Sequence, residues 1–366
     1  MSKYKLKRLF ALILLPITYI MVWIAKNNTE TVERFYSQGF YSVVSSAINT
    51  IMSFFSFSVA EVIIVVSVLA GIIYLIFTIS AISGSKKEDR MFILYRFLAN
   101  VLVIFSFVVF LFNVTCGINY YRTPFVEQIN LNVTGVTSDE LYALATSLAG
   151  EAAALREQVK LDENGIMTLS GDTENTLDSA RKTMNSMAKE YPILGGMYFQ
   201  PKPVRFSKLM SKMGIGGVFF PFTYEPNINV DAPHVKQPHT MVHELSHLRG
   251  FMQEDEANFI AYLACMSSED PDFRYSGTIS ALDYVLNAVY KSDKDKYFEI
   301  RDSLPQGILD DLQNNSEYWQ SFEGTINTVS SSINDTYLKA NNQKDGVDSY
   351  GAMVDLIVAY RKQNAQ

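Results

Sequence analysis

His243-Glu244-Leu245-Ser246-His247 sets two imidazoles four residues apart with a carboxylate beside the first, residue types that hold a divalent metal and move protons next to it. On an α-helix, positions i and i+4 share a face with β-carbons about 5 to 6 Å apart, so both rings can converge on one Zn²⁺ at about 2.0 to 2.1 Å. Glu244 then lies beside the open coordination position. Zinc lowers the pKa of its water towards roughly 7, and a carboxylate at that place takes the proton and delivers it to a departing amine. The motif supplies two ligands and a general base for hydrolysis.

The surrounding residues supply the helix. Pro238 suits its first turn, Met241, Leu245 and Leu248 form an apolar stripe, and Gly250 is a stop. A third protein ligand is still needed, with the fourth position left for water. The extended pattern with a third histidine six residues after the second fails, because Gln253 stands there despite the matching Gly250. Glu254 and Glu256 are the candidates on the next helical run. Glu254 shares a face with Asn258, Tyr262 and Cys265, whereas Glu256 points about 200° away, so one helix offers only one of them to a given metal. Glu254-x-x-Ala257-Asn258 resembles the third-ligand helix of gluzincins. That resemblance implies Glu254 as ligand and Asn258 as support for a metal-bound histidine, with Glu256 as the alternative ligand.

The run from Gly216 to Cys265 contains Gly217-Val218-Phe219-Phe220-Pro221-Phe222-Thr223, Asn227-Ile228-Asn229, Arg249-Gly250-Phe251 and Glu254 through Cys265. Together with Tyr337-Leu338-Lys339-Ala340-Asn341 and Gly346 to Tyr350, it resembles the bacterial membrane family called domain of unknown function 3810. The likeness covers most of the chain and implies a zincin-like membrane protein. The family has no established substrate.

Three apolar stretches, about 9–25, 59–82 and 92–114, approach the length of about 17 to 25 residues that a membrane helix needs. The first reads as a retained span rather than a signal peptide, since no small-x-small site precedes Lys26 and Trp23 suits an interface. Lys3, Lys5, Lys7 and Arg8 precede it, and Lys86, Lys87 and Arg90 lie between the other two, which places these segments in the cytoplasm. Residues 39–58 are too polar for a span and read as interfacial or as a lead into the second one. The expected organisation is a membrane domain, 1–116, and an extracytoplasmic domain, 117–366. Cys116 and Cys265 do not read as a disulfide.

In the outer part, Thr137 with Glu140 marks a capping box for a helix to about Leu161, and Leu177, Ala180, Met184, Met187 and Tyr191 mark the apolar face of another. Pro203–Phe206 and Gly217–Phe222 are strand-like. Zincins receive substrate as a strand added beside the metal helix, and Val218, Phe219 and Phe220 are the candidates for that edge. Lys291–Lys296 reads as a solvated turn among five C-terminal helices. Tyr350 and Tyr337 are candidate transition-state stabilisers, since phenols donate hydrogen bonds. His239, one turn before His243, would close the site as a fourth ligand and reads as a helix-start or substrate-side residue, like His234. A net charge of −7 without a basic aromatic face gives no support to a nucleic-acid partner.

The fold expected is α+β, mostly α: three N-terminal transmembrane helices followed by a zincin-like metalloprotease domain. The function expected is a membrane-anchored zinc-dependent endopeptidase acting on envelope or membrane proteins or peptides. The alternative is a non-catalytic, metal-stabilised envelope binding or sensor protein.

Overall fold

The computed structural model describes residues 9–343, 346 and 352–364. It is mostly helical, with two small sheets. Leu14–Lys26 (α1) follows a single turn at Phe10–Ile13. A π-helical stretch, Val32–Tyr41, then runs into Ser42–Ser53 (α2). Val59–Gly84 (α3) and Lys87–Thr115 (α4) are long and apolar enough to cross a membrane. These are the second and third expected spans. The first differs: Phe10–Lys26 meets the same criterion only together with Thr29–Ser53, and the two are bent by 104° at the break between them. Thus two, or at most three, elements among the described residues can span a bilayer.

The segment before α3 is built into the body that follows α4. Arg122 donates two hydrogen bonds to the Glu33 carboxylate, at 2.9 and 2.7 Å, and both side chains are buried. Ser37 bonds Asn119 at 2.8 Å, Asn49 donates to the Tyr224 carbonyl at 2.7 Å, and Tyr41 is 1% exposed. Residues 39–58 are expected to be interfacial or to lead into the second span, because their composition is mixed. The polar half of that composition turns inward onto protein.

The body begins with Ser138–Arg156 (α5), whose start carries the expected capping box: Glu140 N–H bonds Thr137 Oγ1, and the Glu140 carboxylate accepts from Thr137 N–H. The helix ends before Leu161 because Lys160–Leu161 (β1) pairs antiparallel with Met167–Thr168 (β2). Thr173–Glu190 (α6) buries Leu177, Ala180, Met184 and Met187, as its spacing requires. Lys202–Pro203 (β3), Gly217–Phe220 (β4) and Glu225–Ile228 (β5) form a sheet in the order β3-β5-β4, with β3 parallel and β4 antiparallel to β5. The expected strand at Pro203–Phe206 is therefore only its first residue, since the chain turns into a short helix at Ser207–Lys212.

Gln237–Leu248 (α7) is enclosed by α6, by the β4–β5 hairpin, and by Glu254–Ser267 (α8) and Pro271–Ser292 (α9). Met241, Val242, Leu245 and Leu248 lose all solvent contact. The remaining helices are Lys294–Asp302 (α10), Gln306–Gln320 (α11), Thr325–Ala340 (α12) and Met353–Asn364 (α13). Lys291–Lys296, expected as a turn, contains only a break at Asp293, whose carboxylate caps α10 by accepting from Lys296 N–H.

Candidate metal centre

Helix α7 carries His243 and His247 on one face and ends in a Schellman turn: Gly250 N–H bonds the His247 carbonyl at 2.9 Å, and Phe251 N–H reaches the Ser246 carbonyl at 3.4 Å. Gly250 adopts φ +84°, and a Cβ there would lie 2.9 Å from Asn119 Nδ2 and 3.1 Å from an Arg122 nitrogen. Only glycine meets both demands. This turn brings the start of α8, and with it Glu254, back against the two histidines.

His243, His247 and Glu254 converge, each offering one ligand atom within 4.8 Å of the others, and all three are buried. His243 Nε2 and His247 Nε2 are 3.1 Å apart, and Glu254 Oε2 lies 3.2 Å from the first and 3.8 Å from the second. Ligands about 2.0 to 2.1 Å from a shared tetrahedral centre are separated by about 3.3 Å. The trio fits a small cation on this measure. His247 Nδ1 lies 2.7 Å from the Phe251 carbonyl. A carbonyl only accepts, so the proton is on Nδ1 and the Nε2 lone pair faces the trio.

Asn258, one turn after Glu254, lies beside the His243 ring and is the last of the influences that raise its pKa. It also reaches the Tyr284 hydroxyl. Glu256 goes elsewhere: its carboxylate accepts the Phe125 backbone N–H on the opposite side of α8, and burial pushes its pKa up to about 8. It does not join the cluster.

Glu244 lies next to the trio, 4% exposed, with Oε2 lacking a hydrogen-bond partner. Burial, with the charge of Glu254, raises its pKa to about 8, against the opposing influence of His243 and of a hydrogen bond from Phe219 N–H. Burial would depress His243, but the hydrogen bond and charge of Glu254, then Glu244, raise it instead. Burial and the neighbouring ring lower His247 to about 4. Two carboxylates held out of water against two imidazoles form a donor set that a divalent cation would satisfy.

Strand β4 roofs the site. A Cβ on Gly217 would lie 2.6 Å from Glu244 Oε1 and 2.8 Å from Thr240 Cγ2, so glycine is what lets the strand approach this closely. β4 is the edge of its sheet, and Phe219 sits opposite Pro226 in the register. Val218, Phe219 and Phe220 thus occupy an edge strand beside the motif helix, with Val218 43% exposed.

The other candidates are scattered. Tyr337 shares a 2.9 Å hydrogen bond with the Tyr120 hydroxyl, and the Glu254 charge contributes to raising the pKa of both phenols, after burial. Tyr350 lies outside the described residues. His239 is buried, its Nε2 has no hydrogen-bond partner, and burial lowers its pKa to about 3; it stays outside the trio. His234 bonds Thr168 at 2.9 Å and serves the β1–β2 hairpin.

Sequence reasoning missed two residues that hold the elements around the site in place. Tyr41 donates to the His247 carbonyl at 3.1 Å. Glu225, fully buried on β5, accepts the Val59 and Ala60 N–H groups at 3.1 and 2.8 Å and so fixes the hairpin to the start of α3. Neither carries a local pattern.

Among known proteins, the family model described as Protein of unknown function (DUF3810) matches residues 36–358. No curated protein and no solved structure matches the chain.

Proposed function

The chain belongs to the DUF3810 family, and from the geometry of its site we propose that it is a membrane-anchored, zinc-dependent endopeptidase with a zincin-like catalytic domain. The observation that carries this reading is the buried convergence of His243, His247 and Glu254 with Glu244 beside them under an edge strand. A purely structural metal site has no use for a further desolvated carboxylate next to its ligands.

His243, His247 and Glu254 would hold the zinc, with Asn258 and the Phe251 carbonyl fixing the two rings. Bound there, zinc would polarise a scissile carbonyl and acidify water. Glu244 takes the proton from the attacking water and returns it to the leaving nitrogen. The peptide adds to the free edge of β4 as an antiparallel strand, through main-chain hydrogen bonds at Val218 to Phe220. By the positive-inside distribution of lysine and arginine, the catalytic part is extracytoplasmic, and its substrates are envelope or membrane proteins or peptides.

The test is cleavage of a mixed peptide library by the purified full chain, read by mass spectrometry. Products that disappear with a zinc chelator, return on adding zinc, and fall by about 10²- to 10⁴-fold in Glu244→Gln support the proposal. A Glu244→Gln protein that cleaves as well as the parent contradicts it.

A further inference from the structure

We infer that residues 54–57 and 205–212 form a surface that seats in the lipid interface and holds the site against the membrane, so that the peptides it takes are segments leaving the bilayer. The substrate half of this inference rests on the peptidase reading; the surface does not. It does rest on α3 crossing the membrane.

Phe54, Phe55 and Phe57, immediately before α3, are 83%, 40% and 40% exposed. Aromatic rings at the end of a span belong in the interface. About 150 residues later in the chain, Phe206 and Leu209 are 57% and 51% exposed, with Arg205, Lys208 and Lys212 exposed before, between and after them. In the short helix Ser207–Lys212, Ser207, Met210 and Ser211 turn inward, which leaves Lys208, Leu209 and Lys212 outward. Mixed apolar and basic side chains on one outward face match acyl chains and lipid phosphates together.

This second segment is tied to the membrane end of α3. Glu61, in the first turn of α3, accepts the backbone N–H groups of Arg205 and Phe206 at 3.2 and 2.8 Å. Lys202 donates to the Phe55 carbonyl. A cleft of about 530 Å³, lined by Ser56, Phe57, Arg205, Lys208 and Asp231 among others, opens between the two segments, leaving room for a headgroup.

The site follows by short links. The Glu225 carboxylate holds Val59 and Ala60, Glu225 pairs with Phe220 across the hairpin, and Phe219 N–H reaches Glu244. From the other span, Cys116 Sγ touches Met252 Sδ at 3.4 Å, two residues before Glu254. Both membrane helices therefore end on the shell of the trio, and on this inference the free edge of β4 faces the lipid.

The experiment uses the full chain in vesicles of phosphatidylcholine and phosphatidylglycerol, labelled with an environment-sensitive fluorophore at Phe206→Cys, Leu209→Cys, Val218→Cys or Asp302→Cys. Cys116 and Cys265 are buried, so the introduced thiol takes the label. Asp302 is the aqueous control, since α10 packs on α9 and α5 and not on a membrane helix. Labels at 206 and 209 should be blue-shifted and quenched more by a headgroup-level lipid nitroxide than by an aqueous quencher, with the order reversed at 302. Labels at 206 and 209 that behave like the one at 302 would overturn the surface. A label at 218 quenched by the headgroup nitroxide supports the substrate class, and one quenched only from water removes it. None of these readings needs cleavage, so failure of the peptidase reading leaves them unchanged.

Discussion

At the scale of single residues, the account rests on a division of labour between neighbouring carboxylates. Glu254 faces His243 and His247, Glu244 faces the space under β4, and Glu256 is committed to the Phe125 backbone. Asn258 has the least obvious of the proposed roles, because it would orient His243 without touching the cation. Asn258→Ala should weaken metal affinity by roughly 10- to 100-fold while the fold persists, measured by competition with a chromophoric chelator. The convergence of His243, His247 and Glu254 was legible in the sequence because it depends on helical spacing over a few residues. Tyr41 and Glu225 were not. They act on partners 206 and 165 residues away, and no local pattern encodes a contact of that separation.

At the scale of elements, the Gly250 turn decides whether α8 can bring Glu254 to α7. Gly250→Ala forces a side chain into φ +84° and against Asn119 and Arg122. It should cost about 1 to 2 kcal/mol, read as a lower denaturation midpoint. Gly217 is the corresponding feature of β4, and Gly217→Val should displace the strand, abolishing cleavage while metal stays bound. Zinc analysis and peptide assay on one preparation check this. Starts of elements were readable where a side chain supplies the signal, as at Thr137 and Glu140. Ends were less so: α5 stops early because Lys160 and Leu161 find strand partners, and the presumed turn after Lys291 is mostly helix because Asp293 caps it. The first outcome is set by strand pairing rather than by composition, and the second by a local cap within a charged run that reads as solvated.

At the scale of the molecule, the membrane part and the body are joined by the Glu33–Arg122 pair, by Asn49, and by the Glu225 cap on α3. Composition showed that α3 and α4 are long and apolar enough to span a bilayer, but not the sharp bend after α1, nor that Glu33, Ser37, Tyr41 and Asn49 pack on the body, since an amphipathic segment looks the same whether it meets lipid or protein. Arg122→Met leaves Glu33 buried without its partner and should destabilise the full chain by about 3 to 5 kcal/mol, whereas Glu33→Gln with Arg122→Met should recover much of that loss; thermal unfolding of the three proteins in detergent reads it. The central claim is the three-ligand site, and the most direct measurement is metal content of the purified full chain beside His243→Ala, Glu254→Ala and Glu256→Gln, with folding checked by circular dichroism. The account predicts about one zinc per chain in the parent and in Glu256→Gln, and loss in the other two. A folded parent without metal, or metal lost with Glu256 and kept without Glu254, would contradict it.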